Sequence, residues 1–192
     1  MKQNISWIKE QWKDKKFRGY FIIALMVTAG LAAEFSAFDY SMVKSIRYLV
    51  LVVALFLIAW IDQKKKRIPN KILKTLLAVR TSLLIVEWMM FPQLGLSLLI
   101  SAILGALLGG GLFLLAHFIS KGGVGMGDVK LVAVVGIYMG GGSVMADIFL
   151  SVMASAAYSI IMLIRKKIKL KEEIPFAPFV FIGTVLTMAL GM

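Results

Sequence analysis

Leu49-Val-Leu-Val-Val-Ala-Leu-Phe-Leu-Ile-Ala-Trp-Ile-Asp62 is an unbroken apolar run that ends on a carboxylate. Asp62 then opens a basic stretch, Asp62-Gln-Lys-Lys-Lys-Arg-Ile-Pro-Asn70. A second carboxylate stands in the reverse setting. Gly122-Gly-Val-Gly-Met-Gly-Asp128 leads into the largely apolar run Val129 to Met139. A carboxylate beside a hydrocarbon segment is costly unless it is paired, wet or functional. Two of them at segment ends make a single two-carboxylate site the first hypothesis.

The remaining composition sets the class. The 192 residues are 60% hydrophobic and 17% charged, with a mean hydropathy of +0.88. A soluble domain of this length cannot hide that much apolar surface, so the expectation is an all-α, polytopic membrane bundle. Cysteine is absent, which removes disulfides and thiol nucleophiles, and the single histidine, His117, cannot build a multi-histidine metal site. The first apolar run is preceded by about twenty polar and aromatic residues and lacks a clear small-residue cleavage site, so no cleavable signal peptide is expected.

Seven apolar segments are legible, at about 19–35, 47–61, 75–91, 94–118, 129–141, 144–164 and 176–191. About seven transmembrane helices are expected, because hydrocarbon offers no partner to unpaired backbone groups. A crossing takes roughly 20 residues. The runs after Asp128 and before Asp62 are short by that measure, the latter unless it begins near Lys44.

Basic residues orient the bundle. Nineteen of the 22 Lys and Arg fall on one side if the segments alternate, and Lys44 with Arg47 marks the other. The positive-inside rule then puts the N-terminus in the cytoplasm and the C-terminus outside. The same clusters account for the net charge of +12 as topogenic contacts with anionic lipid heads. They are short and split among loops, which argues against nucleic acid. Asp62 and Asp128 both land at cytoplasmic segment ends, although the topology was set by Lys and Arg alone. The stretch Met1 to Arg18 reads either as an interfacial amphipathic helix or as a polar lead-in.

Peptide hydrolysis by two carboxylates needs one ionised group to activate water and one protonated group to donate to the carbonyl oxygen. Proximity enforces that split, and the pair titrates as a unit. The residues alone leave a second reading open, in which Asp128 is an N-cap for a helix starting at Val129. Gly122, Gly123, Gly125 and Gly127 permit φ > 0 and close approach of another chain, which suits an extended substrate. A plain interhelical loop would look the same. Asn70 is placed to cap a helix from Lys71, with Pro69 fixing its entry. Glu87 and Asp147 fall towards the outer face and read as interfacial. Gly105-x-x-x-Gly109 and Gly136-x-x-x-Gly140 are small-residue packing spacings.

Together, three elements are similar to the type IV prepilin peptidases. They are Asp62 with Ile68-Pro69-Asn70, the Gly-x-Gly-Asp of Gly125-Met-Gly-Asp128, and Ile174-Pro-Phe-Ala-Pro-Phe179. The last resembles that family's Ile-Pro-Phe-Gly-Pro-Phe element, with Ala177 in place of the usual Gly. Presenilin-like proteases share Gly-x-Gly-Asp but not the first motif. The resemblance covers about residues 47–191.

It implies an inner-membrane aspartyl endopeptidase that removes the leader of prepilin-like precursors at the cytoplasmic face. Asp62 and Asp128 would be the catalytic pair. Gly125, Gly127, Lys130, Pro69, Asn70, Pro175, Phe176 and Pro178 would position motif and substrate, and no metal or cofactor is implied. Lys130 reads equally as a substrate contact or a topogenic lysine. Residues 1–18 would be a basic cytoplasmic segment, 19–46 an additional helix with its outer loop, and 47–192 the peptidase-like domain. The lack of cysteines and of room for a methyltransferase region points to a peptidase-only form, with N-methylation left to another enzyme. Competing readings are a catalytically silent assembly protein of a pilus or secretion machinery, and a small transporter. The transporter would predict an internal repeat, and none is visible. Oligomeric state is not legible.

Overall fold

The computed structural model describes residues 15–166 and 174–192. The described chain forms seven helices and no strand: α1 (Lys15–Ala37), α2 (Met42–Lys65), α3 (Asn70–Met90), α4 (Pro92–Ile119), α5 (Met126–Met139), α6 (Val144–Ile164) and α7 (Ala177–Ala189). The lead-in Met1 to Arg18 falls largely outside the described residues.

Among the described residues, four helices are long and apolar enough to cross a membrane: Phe17–Ala37, Met42–Lys65, Pro92–Ile119 and Val144–Ile164. α2 is not short; it begins at Met42, where Ser41 accepts a hydrogen bond from the Lys44 N–H. α3 has 21 residues but carries Arg80 and Glu87. α5 and α7, with 14 and 13 residues, fall below the roughly 20 of a full crossing. Both are wrapped by longer helices. α5 buries Val129, Leu131, Val132, Val135 and Tyr138, as expected of a helix that is apolar on every side.

Helices in lipid gain little from hydrophobic burial against one another, so close packing and buried polar contacts hold them. The most extensive contact is α4 on α5, and the expected glycine spacings make it. Gly105 and Gly136 meet backbone to backbone, so that a Cβ on either would run into the other's carbonyl oxygen. A Cβ on Gly109 would lie 2.8 Å from the Val132 carbonyl oxygen. Gly136→Val should therefore cost well beyond the ~1–3 kcal/mol of ordinary overpacking, since backbone cannot step aside. The expected result is loss of the monodisperse species on size exclusion in detergent; recovery at wild-type yield would contradict this packing.

Buried polar contacts hold the other end of the bundle. Glu87 is 4% exposed and accepts from Arg47 Nη1 at 2.9 Å and Arg80 Nη1 at 2.8 Å. Arg80 Nε donates to the Ile137 carbonyl at 3.1 Å, in the last turn of α5, where the helix dipole favours a cation. The Tyr138 hydroxyl donates to the Leu76 carbonyl at 2.8 Å. Asp147 is 1% exposed and accepts from Thr184 of α7 at 3.1 Å and Ser151 at 3.4 Å. The expectation of interfacial Glu87 and Asp147 is thus corrected. Each has partners on a neighbouring helix that allow burial.

Candidate active site

Asp62 sits in the last turn of α2 and is 4% exposed. Its Oδ2 accepts the Ala177 N–H at 3.1 Å, and the Phe176 N–H faces the same carboxylate. These are the first free amides of α7, and a helix N-terminus presents such donors to an anion. The element Ile174-Pro-Phe-Ala-Pro-Phe179 therefore acts through its main chain. Pro178 occupies the first turn of α7, where its missing N–H is no loss. Ala177 is fully buried, so the fold accommodates its methyl.

Beyond Asp62, the chain reverses at Lys66, which is left-handed (φ 47°) and donates its N–H to the Asp62 carbonyl at 2.8 Å. Pro69 is extended and precedes α3. Asn70 is the first residue of α3, and no side-chain cap bond forms there. The expected Asn70 cap is thereby corrected: the helix begins one residue earlier than the Lys71 start assumed.

Asp128 is not the N-cap of α5. The helix starts at Met126 with Gly125 as its cap, which makes Asp128 the third helical residue. From there its carboxylate turns back towards Gly125, in the manner of a capping box. Gly125 leaves room for this, because a Cβ there would lie 3.0 Å from Asp128 Oδ2. Gly127 packs its bare face on Ile68. Of the four glycines in this turn, only Gly122 has positive φ, at 91°; Gly125 is extended and Gly127 helical. His117 steadies the turn. Its Nδ1 lies 2.6 Å from the Val124 carbonyl, and since a carbonyl can only accept, Nδ1 carries the proton.

Asp62 and Asp128 line one cavity of about 310 Å³, near the lower limit of typical ligand pockets. Their charges are close enough to act on each other. Lys66, Arg67, Asn70 and Lys130 complete the polar wall, with Ile68, Gly125 and Gly127 beside them. Among the described residues no three His, Asp or Glu side chains gather as a metal-ligand set. Pro175 and Pro178 do not reach this cavity; they line a larger neighbouring one of about 670 Å³. The Phe176 ring packs on Phe113 at 5.3 Å between centroids. Sequence reasoning treated Lys66 and Arg67 only as topology signals. Their place between Asp62 and Pro69 was the available hint.

Residues 49–160 match the model of the type IV leader peptidase family. The chain belongs to the type IV leader peptidase family. The matched region contains both aspartates and stops short of Ile174. Among similar leader peptidase relatives is a prepilin leader peptidase/N-methyltransferase of Bacillus subtilis (strain 168), 36% identical over 73 residues, or 38% of this chain and 29% of that protein. A prepilin leader peptidase/N-methyltransferase of Burkholderia pseudomallei (strain 1026b) is 30% identical over 69 residues, 36% of this chain and 22% of that one. The matches thus span less than a third of these relatives' length. No solved structure matches the chain.

Proposed function

We propose that this chain is a multi-pass aspartyl endopeptidase of the cytoplasmic membrane that cleaves the leader from prepilin-like precursors, with Asp62 and Asp128 as its catalytic pair. The observation that carries the reading is the single cavity lined by both carboxylates. The family supports the chemistry. The distribution of Lys and Arg supports seven spans with the N-terminus in the cytoplasm, the C-terminus outside and the cavity at the cytoplasmic end. On this reading residues 19–46 add a helix and outer loop to a peptidase domain at 47–192.

The mechanism is general acid–base hydrolysis. The pair carries one proton. The ionised carboxylate takes a proton from water as the water oxygen attacks the scissile carbonyl carbon, and the protonated carboxylate donates to the carbonyl oxygen. When the tetrahedral intermediate collapses, the C–N bond breaks. The carboxylate that took the water proton gives it to the leaving amine, and its partner recovers its own from a hydroxyl. The α7 amides fix the Asp62 carboxylate, and the contact with Gly125 positions that of Asp128. Lys130 and Asn70 line the cavity where the peptide's carbonyls pass, and Gly125 and Gly127 keep that wall low.

Gly125→Ala tests this positioning. Its backbone (φ −68°) suits alanine, so the folded yield should hold, while the Asp128 carboxylate must move by a few tenths of an ångström. A 1 Å misplacement costs about 10²-fold, so roughly a tenfold loss of cleavage rate is expected. An unchanged rate would mean that the Asp128–Gly125 contact does not set the geometry.

For the function as a whole, the chain is co-expressed with a prepilin-like precursor encoded near its gene, and precursor and mature forms are separated on a gel. Conversion by the wild-type chain supports the reading. If precursor persists while pilus or secretion assembly still depends on the chain, the silent assembly protein takes its place.

A further inference from the structure

α7 is tied to α2 at its start, where the Ala177 N–H reaches Asp62 Oδ2. Two turns later it is tied to α6, where the Thr184 hydroxyl donates to Asp147 Oδ1 at 3.1 Å. Ser151 of α6 donates to the same oxygen at 3.4 Å. Asp147 and Ser151 are 1% exposed and Thr184 is fully buried, and the proposed chemistry uses none of the three. The backbones are fitted to this contact. A Cβ on Gly183 would run into Ser151 Oγ and lie 2.9 Å from the Asp147 carbonyl oxygen. Gly183 thus lets α7 settle on the turn of α6 that carries Asp147, and the hydroxyl of the next residue reaches the carboxylate.

Apolar packing alone fixes the axial position of such a helix poorly. α7 is otherwise rich in carbon surface, as in Val180, Phe181, Ile182, Val185 and Leu186, and in lipid one turn of it replaces another at little cost. The hydroxyl–carboxylate contact has no such substitute. A slip of α7 by one turn, about 5.4 Å, would strand Thr184 and Asp147 without each other where an unpaired polar group is costly. The same slip would carry the Ala177 amide off Asp62.

We propose that Asp147 is a positioning residue of the active site: through Thr184 it sets the height of α7 and so holds the amides at the start of that helix against Asp62. The inference rests on the endopeptidase reading and adds to it a residue remote from the scissile bond. Thr184 lies about 10 Å along α7 from Ala177 at 1.5 Å per residue, and the helix carries the constraint over that distance. Its consequence falls on the chemistry rather than on substrate binding. An N–H donated to a carboxylate favours the ionised form. With α7 loosened, the aspartate pair binds its proton more tightly, and the rate rises at higher pH than in the wild type. The other charges facing Asp62 are Asp128, Lys130, Lys66 and Arg67, which a change at Thr184 leaves unaltered.

The test follows precursor conversion across pH by the wild-type chain and by Thr184→Val, Asp147→Asn and Thr187→Val. Thr184→Val keeps the shape of the side chain, and Asp147 keeps its bond from Ser151, so folded yield should hold. A kcat lowered roughly tenfold at unchanged KM is expected, since an ångström of misplacement costs about 10²-fold. The acid side of the pH profile should move upward with it. Asp147→Asn still accepts through Oδ1 and should retain the wild-type profile. Thr187 is equally buried but donates to the Gly183 carbonyl of its own helix at 2.9 Å, so Thr187→Val should also retain it. A wild-type kcat and pH profile for Thr184→Val, or the same shift in Thr187→Val, overturns the proposal.

A second readout needs no catalysis. The chain has no cysteine, and the rings of Tyr158 in α6 and Phe179 in α7 have centroids 5.3 Å apart. In a chain carrying Tyr158→Cys and Phe179→Cys, a short thiol-bridging reagent should join the two helices, and more slowly once Thr184→Val is added. Bridging unchanged by Thr184→Val overturns the proposal. If the wild-type chain leaves the precursor uncut while Thr184→Val slows bridging, the anchor of α7 stands and the endopeptidase falls. If the wild-type chain cleaves while bridging and kinetics are indifferent to Thr184→Val, the anchor falls and the endopeptidase stands.

Discussion

Asp62→Asn and Asp128→Asn should each slow leader cleavage by about 10²–10⁴-fold, the usual contribution of a positioned acid or base. The double variant should be little slower than the slower single one, because residues that act as a unit are not additive. Asn is nearly isosteric and still accepts through its Oδ1. Asp62→Asn can therefore keep the Ala177 N–H bond, and Asp128→Asn can keep its turn back to Gly125. Folded yield should hold in both, and the loss should fall on rate. Asp62→Glu is expected to be nearly as slow as Asp62→Asn. Its longer arm moves the carboxylate out of reach of the α7 amides, and an ångström of misplacement already costs about 10²-fold. Initial rates of precursor conversion at equal enzyme, with yield checked by size exclusion, decide these points. Additive losses in the double variant would separate the two carboxylates into independent roles.

The second large effect is on stability. Glu87→Ala removes the anion between two buried arginines, and breaking a buried pair typically costs about 3–5 kcal/mol. For a chain of this length that corresponds to a fall in Tm of roughly 10 °C. Arg47 has little reserve, since its Nε already has no partner among the described residues. Arg80 would keep its bond to Ile137. Glu87→Gln should lose less, because the amide still accepts from one arginine. Glu87 lies about 25 Å along α3 from Asn70 at 1.5 Å per residue. Cleavage measured well below the lowered Tm should therefore be close to that of the wild type. A thermal melt in detergent checks the first part, and a wild-type Tm for Glu87→Ala would mean that the cluster contributes nothing.

What could be read in the sequence depended on how local the signal was. Helices α3 to α7 start and stop near the expected limits because apolar runs, Pro92 and the glycine turns punctuate them within the chain. That α4 and α5 each carry a close-packing face was legible because close approach requires glycine, and Gly105 and Gly136 stand at small-residue spacings; that the two faces meet each other was not. The two aspartates stood out because carboxylates are rare beside such runs.

The partners of those carboxylates were not legible. Asp62 is held by main-chain amides 115 residues away, and nothing in the identity of Ala177 announces that. The same limit hid the Arg47–Glu87–Arg80 cluster. Arg80 and Glu87 stand seven residues apart in α3, and only the packing of α2, α3 and α5 brings Arg47 and the Ile137 carbonyl to them. The alternative reading of Asp128 as an N-cap placed the helix start at Val129 because Met126 and Gly127 look like loop, whereas the helix begins at Met126.

The most direct measurement uses purified components alone. This chain, reconstituted in liposomes with one purified prepilin-like precursor and no other protein, is incubated and the products are weighed by mass spectrometry. Two fragments whose masses sum to the precursor plus one water are expected from the wild-type chain, and none from Asp62→Asn or Asp128→Asn over the same period. Undiminished cleavage by either variant would contradict catalysis by the Asp62–Asp128 pair.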